Sequence, residues 1–250
     1  MLRSRSLLLA CAVALLLWAP TSASALTIDF DTFSHGDVFA DPERTAPDYS
    51  LIVDRRDAAD GPGVIFDSNQ MVTADQDLQY EGAWATGNIQ NEDLGNLLII
   101  QENNRACSPL VCDRPDDARR GGSFTFLLEE AYRIFEFVLV DIDLVENETM
   151  GSIRFFFRED GQPDIEVASF GFESFIGTQG IDFGERSANR IDLGDIGADF
   201  NGFEIDLGGS GGIDDIRLQQ VPEPSTAGLL GVGLVALARA RRLRRTRPVS

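Results

Sequence analysis

The sequence predicts an all-β sandwich, and three observations carry that expectation. Segments rich in Phe, Ile, Val and Leu are short, Gly, Asp, Asn or Pro punctuates them, and helical periodicity is nearly absent. In chain order the candidate strands begin with Leu26 to Asp31, Ser50 to Val53, Val64 to Phe66 and Leu97 to Gln101. Ser123 to Leu128, Ile134 to Asp143, Ser152 to Arg158 and Ile165 to Phe172 follow, then Arg190 to Leu193, Phe203 to Leu207 and Ile213 to Leu218.

Alternation assigns faces to several of these. Phe203, Ile205 and Leu207 oppose Glu204 and Asp206, and Ile153, Phe155 and Phe157 oppose Arg154 and Arg158, so each strand has one wet face. Ile134 to Leu144 is apolar on both faces and reads as a central strand, with Val138, Val140 and Ile142 facing one way. Residues 54–95 and 102–121 read as long polar loops, and loops of that length are usually functional or mobile. Trp84 and Tyr80 lie in the first, spaced to form an aromatic face. Such a face stacks on sugar rings, and a loop tryptophan serves equally often as a plug over the end of a sandwich.

The 21 basic residues are all arginine. Residues 26–221 hold 13 arginines against 40 acids, a net charge of −27, whereas the whole chain carries −20. That field excludes nucleic acid as a partner, because phosphate contacts need basic surface, and it attracts cations. Cys107 and Cys112 flank Pro109. In an oxidising compartment a local disulfide is the expected state, and zinc is a poor alternative with two thiols and the single His35 available.

Both ends read as addresses. Arg3 and Arg5 precede the apolar run Leu7 to Trp18, and Ala23-Ser24-Ala25 fits signal peptidase, so residues 1–25 are expected to be removed. Cys11 as a lipoprotein cysteine is the alternative; Leu9 and the continuing apolar run speak against it. Pro222 and Pro224 break the preceding structure and leave an accessible peptide. The thirteen residues Thr226 to Ala238 read as a short hydrophobic transmembrane helix; at about 1.5 Å per residue they span roughly 20 Å of a core near 30 Å thick. Six arginines from Arg239 to Arg247 hold that end in the cytoplasm.

Val221-Pro222-Glu223-Pro224-Ser225, an apolar helix and an arginine cluster, in that order, resemble the PEP-CTERM sorting signal of Gram-negative bacteria. The resemblance covers residues 221–250 and leaves an ectodomain at 26–220. It implies an exosortase that recognises Pro222, Glu223 and Pro224, a precursor held transiently in the inner membrane with its ectodomain in the periplasm, and delivery to the cell surface or the exopolysaccharide matrix of a biofilm. The closing Gly208-Gly209-Ser210-Gly211-Gly212-Ile213-Asp214-Asp215 is similar to the strand that often precedes this signal, and the ectodomain looks like an uncharacterised exported jelly-roll family. No activity comes with that resemblance.

The expected chemistry is acidic. Asp141 and Asp143 share one face of the central strand, roughly 6.5 to 7 Å apart, and Asp29 and Asp31 repeat the pattern on the first strand. Asp214 shares the parity of Ile216 and Leu218, which predicts an inward carboxylate in need of a partner, with Asp215 beside it. In a jelly roll the first and last strands meet, so a structural Ca2+ site drawn from Asp29, Asp31, Asp141, Asp143, Asp214 and Asp215 is one expectation. Turn capping, or pairing with Arg154, Arg190 and Arg217, is the other. The metalloprotease motif H-E-x-x-H and a phosphate loop are missing from the sequence. The reading is therefore a non-catalytic structural or carbohydrate-binding module, with a carbohydrate-active hydrolase using paired carboxylates as the alternative.

Overall fold

The computed structural model describes residues 24–39, 44–57, 60–70, 73, 75–103, 105, 107–142 and 149–221. Ala23, Asp143, Pro222, Glu223, Pro224 and the hydrophobic segments of both ends lie outside these residues. Among the described residues no helix is long and apolar enough to cross a membrane. Ala25–Gln220 is a compact unit that contains every strand.

The strands are β1 (Ala25–Ile28), β2 (Val38–Phe39), β3 (Arg44–Thr45), β4 (Tyr49–Arg55), β5 (Gly63–Asp67), β6 (Asn96–Ile100), β7 (Gly122–Val140), β8 (Gly151–Phe157), β9 (Ile165–Gly171), β10 (Ala188–Leu207) and β11 (Gly212–Gln219). Their ladders are all antiparallel and join into one sheet. β7 and β10 organise it. They pair along Gly122–Leu127 with Gly202–Leu207, then again along Ile134–Val140 with Ala188–Asp195, with register shifts between. The first stretch is flanked by β4 on one side and by β8 and β9 on the other; the second continues through β11, β6, β5 and β2.

These halves fold face to face as a jelly-roll-like sandwich. Phe135 belongs to the second stretch, yet its ring lies 4.8 Å from Phe203 and 4.9 Å from Phe155 of the first, both edge-on. Phe124, Phe126, Phe137, Ile205 and Leu207 fill the same core, in the alternation their strands require. Burial of this kind is the main favourable term in folding. The first and last strands meet, Leu26 opposite Leu218 and Ile28 opposite Ile216.

A second apolar cluster lies on the outer face of β5, β6, β11 and β7. Val64, Phe66, Leu97, Ile99, Val138 and Val140 project there and are covered by Leu78, Trp84, Ile89 and Leu94 from the loop between β5 and β6 and by Cys112 from the loop before β7. The two long loops are therefore the roof of a second core. This explains why the central strand is apolar on both faces although the protein is only two layers deep. Ile142 departs from the expected grouping with Val138 and Val140 and joins the inter-sheet core, because Asp141 takes φ 56° and breaks the alternation.

Candidate metal centre: an acidic cleft under the loop roof

Asp75 follows β5 in a turn that its own carboxylate caps. Oδ1 accepts from the backbone N–H groups of Asp77 at 2.8 Å and Leu78 at 3.3 Å, and buried Leu78 anchors the turn to the second core. Asp116 and Asp117 approach from the loop between β6 and β7. Buried Gln101 sets that loop, its Oε1 accepting from Asp116 N at 3.1 Å and its Nε2 donating to Arg114 O at 3.2 Å. Asp117 Oδ2 accepts from Gly211 N at the start of β11. Asp141, at the end of β7, accepts at Oδ1 from Arg186 N at 2.7 Å.

The loop roof and strand ends thus bring carboxylates together. One oxygen from each of Asp75, Asp116 and Asp117 lies within 4.8 Å of the others. They line a cleft of about 450 Å³ with Asp141, Asp77 and Glu185, and Gln76 and Ser210 are its neutral members. Among the described residues no basic side chain lines it. Enclosure of its carboxyl, then the charge of Asp75 and a hydrogen bond to it, then Asp141, hold Asp117 well above the ordinary carboxylate range. Asp116 is pushed up to about 6 by burial, by Asp75 and by Glu102. Carboxylates this close compete for protons unless a cation sits among them. Oxygens converging within 4.8 Å suit a Ca2+ ion, which takes six to eight oxygens at about 2.3 to 2.6 Å.

Of the six aspartates singled out in the sequence, Asp143 lies outside the described residues, and of the other five Asp141 alone lines this cleft. Asp75, Asp116 and Asp117 were missed as candidate ligands because they sit in loops, where strand parity says nothing. Asp215 is paired with arginine, the other expectation for these aspartates. Its Oδ2 lies 2.9 Å from both Arg190 and Arg217, in a network with Glu136 and Glu92.

Asp214 is inaccessible as expected, but it faces the other way. Asp215 takes a left-handed φ of 52° and forms a bulge, so the register slips between Asp214 and Arg217. Asp214 therefore pairs with Val138 of the outer cluster, whereas Ile216 and Leu218 enter the inter-sheet core. Asp29 and Asp31 are exposed and act on Asp214 through space, as the meeting of first and last strands predicts. Asp164 is held by Arg158 at 2.6 and 2.8 Å.

The aromatic face proposed for sugars does not exist at Trp84. Its side chain is 2% exposed, its ring lies 5.6 Å from Tyr80, and its Nε1 donates to Glu92 O at 2.9 Å, so it plugs the second core. His35 is half-buried and accepts at Nδ1 from Asp67 N at 3.0 Å, with its pKa lowered by burial; it fixes a turn. Cys107 and Cys112 are joined as a disulfide across an antiparallel bridge, closing a hairpin that exposes Leu110.

Fold and cleft define a two-layer β protein with an acidic, loop-roofed cavity. Residues 220–245 match the family model of the PEP-CTERM protein-sorting motif, which marks the chain for export and exosortase processing through a membrane-anchored precursor. No curated protein matches the sequence. Among solved structures the chain is similar to the K2 cleaved adhesin domain of Lys-gingipain, at 12% identity and TM-score 0.38, covering 78% of this chain and 99% of that one, a likeness too distant to bear on function.

Proposed function

We propose that the mature protein is a non-catalytic structural module of the cell surface or extracellular matrix, associated with exopolysaccharide, whose acidic cleft holds a structural calcium ion. The observation that carries this reading is the convergence of Asp75, Asp116 and Asp117 within 4.8 Å beside Asp141, with no basic residue in the lining among the described residues. A divalent ion there relieves the repulsion and ties two roof loops to the end of β7. Exosortase sorting supplies the destination. With Trp84 buried, the surface offered to exopolysaccharide is the acidic loop face. Binding of calcium and of matrix polysaccharide by the Ala25–Gln220 unit tests the reading; failure to bind either one refutes the corresponding half.

One observation favours hydrolysis instead. Asp116, raised to about 6, has the protonation behaviour of a general acid near neutral pH. Against it, three carboxylates share the cleft with one oxygen of each within 4.8 Å of the others, a grouping that suits a cation better than a separate acid and nucleophile. Release of reducing sugar from any polysaccharide, abolished by Asp116→Asn, would establish the hydrolase.

A further inference from the structure

We infer that the calcium of the acidic cleft is itself the contact for polysaccharide: a neutral sugar binds by placing two adjacent hydroxyls on the ion, with Ser210 holding the ring from inside the fold. That role presupposes the calcium reading above and names the class of glycan the same site takes.

Two observations besides the grouping of carboxylates point to a ligand. Ser210 lines the cleft and is 7% exposed, yet its hydroxyl makes no hydrogen bond among the described residues. Buried polar groups are rarely left so, and a hydroxyl turned into a cavity offers one donor and two acceptor positions to whatever enters. Its place is fixed, because the next residue, Gly211, donates its backbone N–H to Asp117. The other observation is size. At about 450 Å³ the cleft falls in the range of small-ligand pockets, about 300–1,000 Å³, and is far larger than an ion alone requires.

The coordination sphere has room for that ligand. Asp75 Oδ1 is engaged by the N–H groups of Asp77 and Leu78, and Asp117 Oδ2 by that of Gly211. One oxygen from each of Asp75, Asp116 and Asp117 supplies Ca2+ with three of its six to eight, so about three to five positions remain. Two neighbouring hydroxyls of a sugar replace two waters there with the same hard-oxygen chemistry.

Charge decides the class of sugar. Asp75, Asp77, Asp116, Asp117, Asp141 and Glu185 all line the cleft, so a single divalent ion leaves it negative. A uronate or sulfated chain is repelled by that field. A neutral sugar is not, and hydroxyls that coordinate the ion donate their hydrogens to the surrounding carboxylates, which are acceptors only when ionised. Ser210 inside and Gln76 at the exposed rim bond the hydroxyls that reach neither ion nor carboxylate.

The test is calorimetric titration of the Ala25–Gln220 unit, which holds all strands and both cores, first with calcium chloride and then with polymers in calcium and in chelator. The neutral polymers are mannan, galactan and dextran, and polygalacturonate is the anionic comparator. At least one neutral polymer should bind in calcium and none in chelator, and polygalacturonate should bind in neither. Ser210→Ala should weaken the neutral polymer by about tenfold while calcium uptake and melting temperature stay unchanged. Calcium uptake without binding of a neutral polymer, or with polygalacturonate preferred, overturns the inference and leaves the calcium site standing. Equal binding in calcium and chelator also overturns it and leaves the association with exopolysaccharide standing. Calcium-dependent binding that Ser210→Ala does not weaken places the sugar on another face and overturns it too. No calcium uptake at all removes the cleft reading and this one together.

Discussion

Gly211 donates its backbone N–H to the carboxylate of Asp117, joining the acidic cleft directly to the start of the last strand. An ion in the cleft should therefore be felt along β11.

The first prediction is a calcium-dependent melting temperature. A ligand that binds only the folded state stabilises it by RT ln(1 + [L]/Kd), about 2.7 kcal/mol at one hundred times Kd. At matched ionic strength, calcium should raise the melting temperature well above that in chelator, and magnesium should do much less because it dehydrates reluctantly. Asp117→Asn should shrink the shift, whereas Asp160→Asn, on an exposed turn, should leave it intact. Identical melts in calcium and chelator would return these aspartates to a solvated surface role.

The metal-free protein should lose stability as pH rises. Asp116 titrates at about 6 and Asp214 at about 8 in the fold, against about 3.9 in the unfolded chain, so the folded state holds these protons more tightly. Their stabilising contribution is complete below pH 4 and is lost in steps through 6 and 8. Denaturant midpoints measured in chelator from pH 4 to 9 should fall across that window, once the ordinary acid-side losses of the ion-paired aspartates Asp164 and Asp195 are passed. Saturating calcium should flatten the step through 6. A rise with pH in chelator contradicts the assignment.

Trp84 and Phe135 should behave as core residues. Truncating either to Ala removes a large ring from a site 2% exposed or less, a loss of about 3–5 kcal/mol. Urea unfolding of both variants checks this. Trp84→Ala that keeps full stability while losing polysaccharide binding would restore the surface role expected from sequence.

The disulfide should matter locally. Cys107 and Cys112 are five residues apart, and closing so short a loop contributes at most about 2 kcal/mol through chain entropy. Mass spectrometry of periplasmic protein should find two hydrogens fewer than the dithiol. Replacing both cysteines by Ser should speed amide exchange in residues 102–121 while the ladders of β7 and β10 stay protected.

Strand positions were largely legible because alternation is a local property. Phe203, Ile205 and Leu207 face the core as their spacing predicts. What alternation cannot register is a bulge. The shift between Phe155 and Phe156 buries Phe156, so that Arg154 and Arg158 lie over its ring at 5.1 and 5.4 Å while Phe157 is left part-exposed. The bulge at Asp215 likewise reversed the face of Asp214. Four candidate strands proved to be two, because polar Glu129 and Glu130 and the glycines Gly194 and Gly197 look like turns but lie within β7 and β10. The proximity of Asp29 and Asp31 to Asp214 was readable from the expected meeting of first and last strands. The gathering of Asp75 with Asp117 was not, since it depends on how two loops cover the outer face of the sheet.

β11 has ladder partners on both of its edges, β7 on one and β6 with β1 on the other. The chain leaves this strand at Gln219 on its way to the sorting signal. A pull arriving through the C-terminus therefore runs along β11 and loads many hydrogen bonds in shear at once, where an edge strand such as β9 would peel bond by bond. A domain built this way resists drag when held by its C-terminal end, and that is the end by which its membrane-anchored precursor is held.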